Sequence, residues 1–281
     1  MISNFLKLLL MLATAGGIMA RDAESHETVE NGGWKLVREI PIAGTGRCTV
    51  QRRDGKTLTQ TEFLNEFAYT QPLIIYNVEN GEFAHKTGRL EMLKSFEDTP
   101  VTLNSANTHS YTRVPTTFGD YLSTHLKPQS LETLGNETLY LFGDIDPELW
   151  KPLLSAYKQP KWTVPDMEPA LSFGIAAVGT GVPFHFHGPG FAEVVHGSKH
   201  WFLTEPDRKP AFDPDRSTLD WYLNDYPKLE ESERPLECLM KPGELIYFPD
   251  KWYHATLNME TSVFISTFLS PGAKTRPKTE F

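Results

Sequence analysis

Residues 179–201 read GTGVPFHFHGPGFAEVVHGSKHW, and two histidines near their centre, His185 and His187, decide how the fold is read. In a β-strand successive side chains alternate faces, so His185 and His187 point one way and Phe186 the other. Two imidazoles side by side on one strand face suggest a shared use, and a metal ion supplies one. A second anchor lies downstream. Residues 243–254, GELIYFPDKWYH, set His254 after a proline-containing turn, with Asn258 four residues further on. Any one of these histidines, taken singly, reads as an ordinary core or surface residue. Two on one strand face and a third on a late strand form the spacing by which a double-stranded barrel closes around an ion. His185, His187 and His254 are therefore the candidate metal ligands.

The rest of the chain is compatible with such a barrel. It has 281 residues, 40% of them hydrophobic, enough for one large core or two small ones. Twenty-one prolines and twenty glycines among many short apolar runs lean towards β architecture. The formal net charge is −9 and no Lys/Arg-rich run is present. A phosphate backbone needs a basic footprint, so nucleic acid is not expected as a partner. A small anionic ligand needs only one or two local cations and stays open.

Residues 1–20 differ in texture from everything after them. Lys7 is the only charge before Arg21, and LLLMLATAGGIMA follows it directly. A short basic lead, an apolar core and small residues near Ala15 and Ala20 describe a secretory signal peptide. The apolar run is short for spanning a bilayer, so no stable membrane span is expected. A lumenal location in the endoplasmic reticulum or secretory pathway follows. Asn136-Glu137-Thr138 is an N-glycosylation acceptor, which suits a glycoprotein. Cys48 and Cys238 can form one disulfide in an oxidising compartment or stay as two buried thiols.

Residues 21–33 read as a flexible acidic lead-in and 271–281 as a flexible tail. Between them, 34–169 form a support of helices and strands, and 170–270 a dense strand array. In the support, Thr59 and Glu62 open a helix carrying Phe63, Leu64 and Phe67. A buried strand is expected over 73–76, helices over 90–96, 118–126 (capped by Thr117) and 147–157, and a strand over 139–142. In the array, strands are expected over 171–178, 183–187, 191–196, 199–204, 237–240, 245–248 and 262–269. An acidic insertion, 205–235, carries a short helix near 218–223. The expected architecture is mainly β with helical decoration, a barrel or jelly roll.

The motifs VPFHFH, VVHGSKHWFL, KPGELIYFPDKWYHATLN and SVFISTFLS resemble a JmjC domain, a branch of the cupin superfamily. That resemblance implies a double-stranded β-helix holding Fe(II) and 2-oxoglutarate for hydroxylation or demethylation. Its ligand pattern, His-x-Asp/Glu with a distant His, falls on His185 and His254. The lysine that binds the cosubstrate carboxylate falls on Lys199, a reasonable counter-charge for a dicarboxylate in a narrow barrel. Thr267 or Ser266 on the closing strand would add a hydroxyl.

The departures from the pattern bear on activity. His187 stands where the family carries a carboxylate, which leaves a bound ion one unit more positive. Three histidines suit Zn(II) at least as well as Fe(II). Val182 stands where a threonine often contacts the cosubstrate, and an asparagine is missing near Glu193. Glu193 is offset from the general cupin glutamate; it is read as a solvated or ion-paired residue, or as a fourth ligand if the preceding turn absorbs the offset. His196 and His200 are expected to face away from Lys199, in surface or supporting roles. Trp201, Trp252 and Tyr253 are expected to pack the barrel ends. Two functions are open: a regulatory or protein-interaction factor with weak or absent oxygenase activity, and an active Fe(II)/2-oxoglutarate protein hydroxylase. A signal peptide removes the chain from chromatin, so histone demethylation is not expected.

Overall fold

The computed structural model describes residues 30–35, 46–106, 112–143 and 145–272. The expected leader at 1–20, nearly all of the acidic lead-in and the tail from 273 onward lie outside the described residues.

The support begins with β1 (Gln51–Asp54), α1 (Gln60–Glu66) and β2 (Leu73–Tyr76). Thr59 caps α1: its hydroxyl accepts from the Glu62 backbone N–H at 3.1 Å, satisfying a donor that a helix start leaves open. Next come α2 (Gly81–Lys86), α3 (Arg89–Phe96), β3 (Pro100–Ser105) and β4 (Arg113–Thr117). A turn of α4 (Phe118–Asp120) runs on into a wider helical turn (Tyr121–His125), followed by β5 (Leu139–Tyr140) and α5 (Lys151–Leu154). Thr117 caps α4 through the Asp120 N–H at 3.2 Å. The helix expected over 147–157 is shorter than its apolar pattern suggests: only the α5 residues are helical, with Pro152 in their first turn. β1, α2, β3 and β4 are additions to the sequence expectation.

The array then runs through β6 (Met167–Ala176), β7 (Gly181–His185), β8 (Gly190–His196) and β9 (Lys199–Thr204). After α6 (Thr218–Asn224) come β10 (Leu236–Met240), β11 (Glu244–Phe248), β12 (Tyr253–Asn258) and β13 (Ser262–Pro271). Two sheets result, in the orders β1-β2-β11-β8-β13-β6 and β10-β9-β12-β7. From β6 to β13 successive strands change sheet at every step except β9 to β10, where the acidic insertion makes the return. This is the expected jelly roll, with two support strands extending the larger sheet and β4-β3-β5 forming a third.

Both sheets are covered on both faces. Ala192, Val194, Trp201, Leu203, Ile246 and Phe248 meet between them. Outside the larger sheet, the support packs Phe83, Phe118 and Trp150 against Phe173, Val195 and Ile265. Outside the smaller one, α6 lays Leu219, Trp221 and Tyr222 over Phe184, Phe202 and Leu257. Two-sided burial accounts for β9 being buried at every residue and β8 at every residue but His196, polar side chains included. Gly197 makes the tight turn between them at φ +74°, where a side chain would also strike the Thr261 carbonyl. Cys48 and Cys238 are joined, so the disulfide alternative is the one adopted. Among the described residues no helix is long and apolar enough to cross a membrane.

Candidate metal centre

β7 and β12 are neighbours, and their register sets His185 opposite His254. The register shifts between His254 and Thr256, and there the strands approach closely. A Cβ on Gly181 would lie 1.8 Å from the Thr256 carbonyl oxygen, so only glycine fits. His187 lies beyond the end of β7, in the loop and not in the strand expected to reach it. Its carbonyl accepts from the Lys251 N–H at 3.0 Å, which ties this loop to the turn before β12. Phe186 points outward, 54% exposed, as alternation requires.

The three imidazoles converge. Ring centroids are 4.3 Å apart for His185–His254, 4.7 Å for His187–His254 and 5.5 Å for His185–His187. Each ring turns Nδ1 to a backbone carbonyl: His185 to Pro183 at 2.9 Å, His187 to Gly188 at 2.8 Å, His254 to Trp252 at 3.0 Å. A carbonyl oxygen only accepts, so each Nδ1 carries the hydrogen and each neutral ring keeps its lone pair on Nε2. The Nε2 atoms of His187 and His254 lie 3.1 Å apart. Two lone pairs at that distance repel unless a proton or a cation lies between them. Ligands of one tetrahedral zinc sit about 3.4 Å from each other at ordinary Zn–N lengths. Here one ligand atom from each of the three rings falls within 4.8 Å of the others. Burial pushes the imidazolium of His185 down to about 4 and those of His187 and His254 below their ordinary value. All three are thus neutral donors near neutral pH, and the donor set fits a borderline transition metal.

Lys199 opens β9 and enters the same cavity. Its Nζ lies 3.3 Å from the centre of the Phe264 ring, and burial pushes the ammonium down to about 7. No carboxylate lines the cavity among the described residues. Its volume is about 40 Å³, room for about three waters. Phe142, Phe264 and Phe268 wall it, with Phe142 5.2 Å from Phe264. A dicarboxylate the length of 2-oxoglutarate needs those rings to move.

Of the two hydroxyls offered by the closing strand, Ser266 lines the cavity with Phe264 and Phe268. Thr267 does not; strand alternation turns it to the outer face with Val263 and Ile265, which pack under the support. Alternation also corrects Glu193. Ala192 and Val194 face the interior, so Glu193 faces outward, away from the histidines, 3% exposed and bonded to Asn80 at 2.8 Å. It is neither solvated nor a ligand. His200 does face away from Lys199, but it is fully buried, with Nε2 3.1 Å from Glu237. His196 contacts the Ala84 carbonyl at 2.9 Å. Trp201 is part of the cavity wall, its ring 5.6 Å from that of Phe248. Asn136 lies in a short turn, Gly135–Glu137. Tyr140, Phe142 and Thr256 line the site without having been singled out; Thr256 sets a hydroxyl opposite Val182, donated by the neighbouring strand. Grooves of about 360 and 610 Å³ run over Asn80, Lys158 and Glu193, on the far side of the sheet from the histidines.

Comparison with known proteins agrees with this fold. A family model described as a cupin-like domain matches residues 178–270. JmjC domain-containing protein 8 of Rattus norvegicus is 48% identical over 85% of this chain and 89% of its own length. More distantly, the 2-oxoglutarate and iron-dependent oxygenase JMJD4 of Mus musculus is 25% identical over 31% of this chain and 23% of its own. Among solved structures, YcfD, a ribosomal oxygenase from Escherichia coli, superposes with a TM-score of 0.50 at 17% identity. That match covers 78% of this chain and 53% of YcfD, and it concerns the fold.

Proposed function

The chain belongs to the family of JmjC domain-containing protein 8, with a cupin-like JmjC fold, and from that premise we propose that it is a metal-stabilised regulatory or protein-interaction factor with weak or absent 2-oxoglutarate turnover. His185, His187 and His254 hold the ion. Iron(II) and zinc(II) both suit three neutral imidazoles. Such an ion would supply Lewis acidity or, in the case of iron, redox chemistry. The observation that carries the proposal is the position of Lys199. Its Nζ rests on the Phe264 ring at 3.3 Å, inside a cavity of about 40 Å³. A cation meant to receive a dicarboxylate needs open space beside it, and here an aromatic ring occupies that space. The Cys48–Cys238 disulfide, the Asn136 acceptor and the apolar run in residues 8–20 support an address in the secretory pathway.

The second reading is an active hydroxylase of that pathway. The convergence of three histidines with Lys199 in the same cavity favours it, as does the iron and 2-oxoglutarate dependence in the name of the mouse relative. Metal analysis of the purified protein with an assay for succinate formation separates the two. Under the proposal, metal is bound in about equimolar amount, succinate stays at background, and 2-oxoglutarate does not compete for the site. Phe264→Ala opens the cavity and is expected to allow 2-oxoglutarate binding. Succinate formation by the wild-type chain that disappears in His185→Ala would refute the regulatory reading.

A further inference from the structure

We infer that the Cys48–Cys238 disulfide is a site of thiol–disulfide exchange, at which a small anionic thiol adds to Cys48 while Cys238 leaves as a thiolate beside the Arg52 guanidinium. The two sulfurs differ in access. Cys48 is exposed, on the strap of residues 46–50, whereas Cys238 is fully buried in the layer between the sheets. An attacking thiolate approaches one sulfur along the S–S axis, and Cys48, the exposed partner, is the one that solvent species reach. Arg52 Nη1 lies 3.8 Å from both sulfurs. The guanidinium is held there by an ion pair from Nη2 to Glu244 and by the Tyr76 ring, 5.5 Å from Cζ. A fixed cation beside a sulfur lowers the cost of a thiolate, and a better leaving thiolate speeds exchange.

In the step, the incoming thiolate donates its electron pair to Cys48 Sγ and forms the new S–S bond. The Cys48–Cys238 bond breaks and its pair stays on Cys238 Sγ. One disulfide replaces another, one thiolate replaces another, and no oxidant is consumed. The strap does not depend on the disulfide alone. The Thr49 N–H donates to the Glu237 carbonyl at 2.8 Å, the Glu237 N–H donates to Thr49 Oγ1 at 3.0 Å, and Arg47 Nε lies 3.2 Å from the Glu237 carboxylate. These contacts keep Cys48 near Cys238 after opening, so the buried thiolate can expel the adduct and restore the bond.

The test exposes the full oxidised chain to reduced glutathione, quenches with acid, alkylates free thiols and maps both cysteines by mass spectrometry. The glutathione adduct is expected on Cys48 and the free thiol on Cys238. Exchange is expected to slow about tenfold in Arg52→Leu and to recover largely in Arg52→Lys. The wild-type rate should not change in urea below the unfolding transition. An adduct on Cys238, or a wild-type rate that climbs from the first addition of urea, means the bond opens only by unfolding and overturns the inference. So does an Arg52→Leu rate equal to wild type; should that variant not fold, the wild-type map and urea series decide.

Discussion

Glu193 shows how much depends on which face of a strand a side chain takes, and His187, in the loop after β7, how much depends on the chemistry of one side chain. His187 brings a neutral imidazole to a position where the JmjC pattern carries an anionic ligand, so a divalent ion there keeps its full charge beside Lys199, whose own charge burial already disfavours. Glu193 is a carboxylate of the same barrel, but it is turned outward, away from the three histidines. Burial raises its carboxyl from 4.5 to about 7, with Asn80 and Tyr157 pulling the other way. A folded-state value above the unfolded one means the native state holds this proton more tightly. Its contribution to stability is full below pH 4.5 and is lost as pH rises through about 7. The depressed histidines carry the opposite sign, so the effect is read as a difference between proteins. Relative to Glu193→Gln, the wild-type chain should lose stability as pH rises from 4.5 to about 7, by up to about 1.4 kcal/mol per pH unit. Urea unfolding at several pH values measures it, and a pH-independent difference would show that the carboxyl is ionised throughout.

At the level of elements, the centre is a property of the β7–β12 pair. Those strands set His185 opposite His254 and approach so closely at Gly181 that a methyl group there meets the Thr256 backbone. Gly181→Ala is therefore expected to force the strands apart, destabilise the chain by about 3 kcal/mol and lower metal affinity at least about tenfold. Chelator competition alongside urea unfolding checks both, and a destabilised variant with unchanged affinity would mean that the pair does not set the ligand spacing. The array strands were legible because glycine and proline punctuate short apolar runs, and α1 and α4 because Thr59 and Thr117 announce their starts. β3 and β4 were not legible: PVTLNS and RVPTT alternate weakly, and they become strands by pairing with each other. The three histidines and Lys199 could be found from spacing and resemblance. Choosing between Ser266 and Thr267 required the phase of β13 relative to the cavity, and the role of Phe142 required knowing that the support reaches the barrel mouth.

For the whole molecule, the cavity is the place where three separately built parts meet. β7, its following loop and β12 supply the histidines, β13 from the opposite sheet supplies Phe264, Ser266 and Phe268, and the support supplies Tyr140 and Phe142. An ion bound to the histidines joins the smaller sheet to the loop after β7 and relieves the contact between the Nε2 atoms of His187 and His254. Such a ligand binds the native arrangement and has little reason to bind the unfolded chain as tightly, so it stabilises by mass action. At free zinc one hundred times the dissociation constant the gain is about 2.7 kcal/mol. For a chain of this size that corresponds to a rise in Tm of about 5 °C. Scanning calorimetry of the metal-stripped protein with and without zinc should give that rise in wild type and none in His185→Ala. A rise that survives in His185→Ala would locate the ion elsewhere. No rise in wild type at saturating zinc would mean that the three rings are held by the packing of the barrel alone, with their repulsion offset by the carbonyls at each Nδ1.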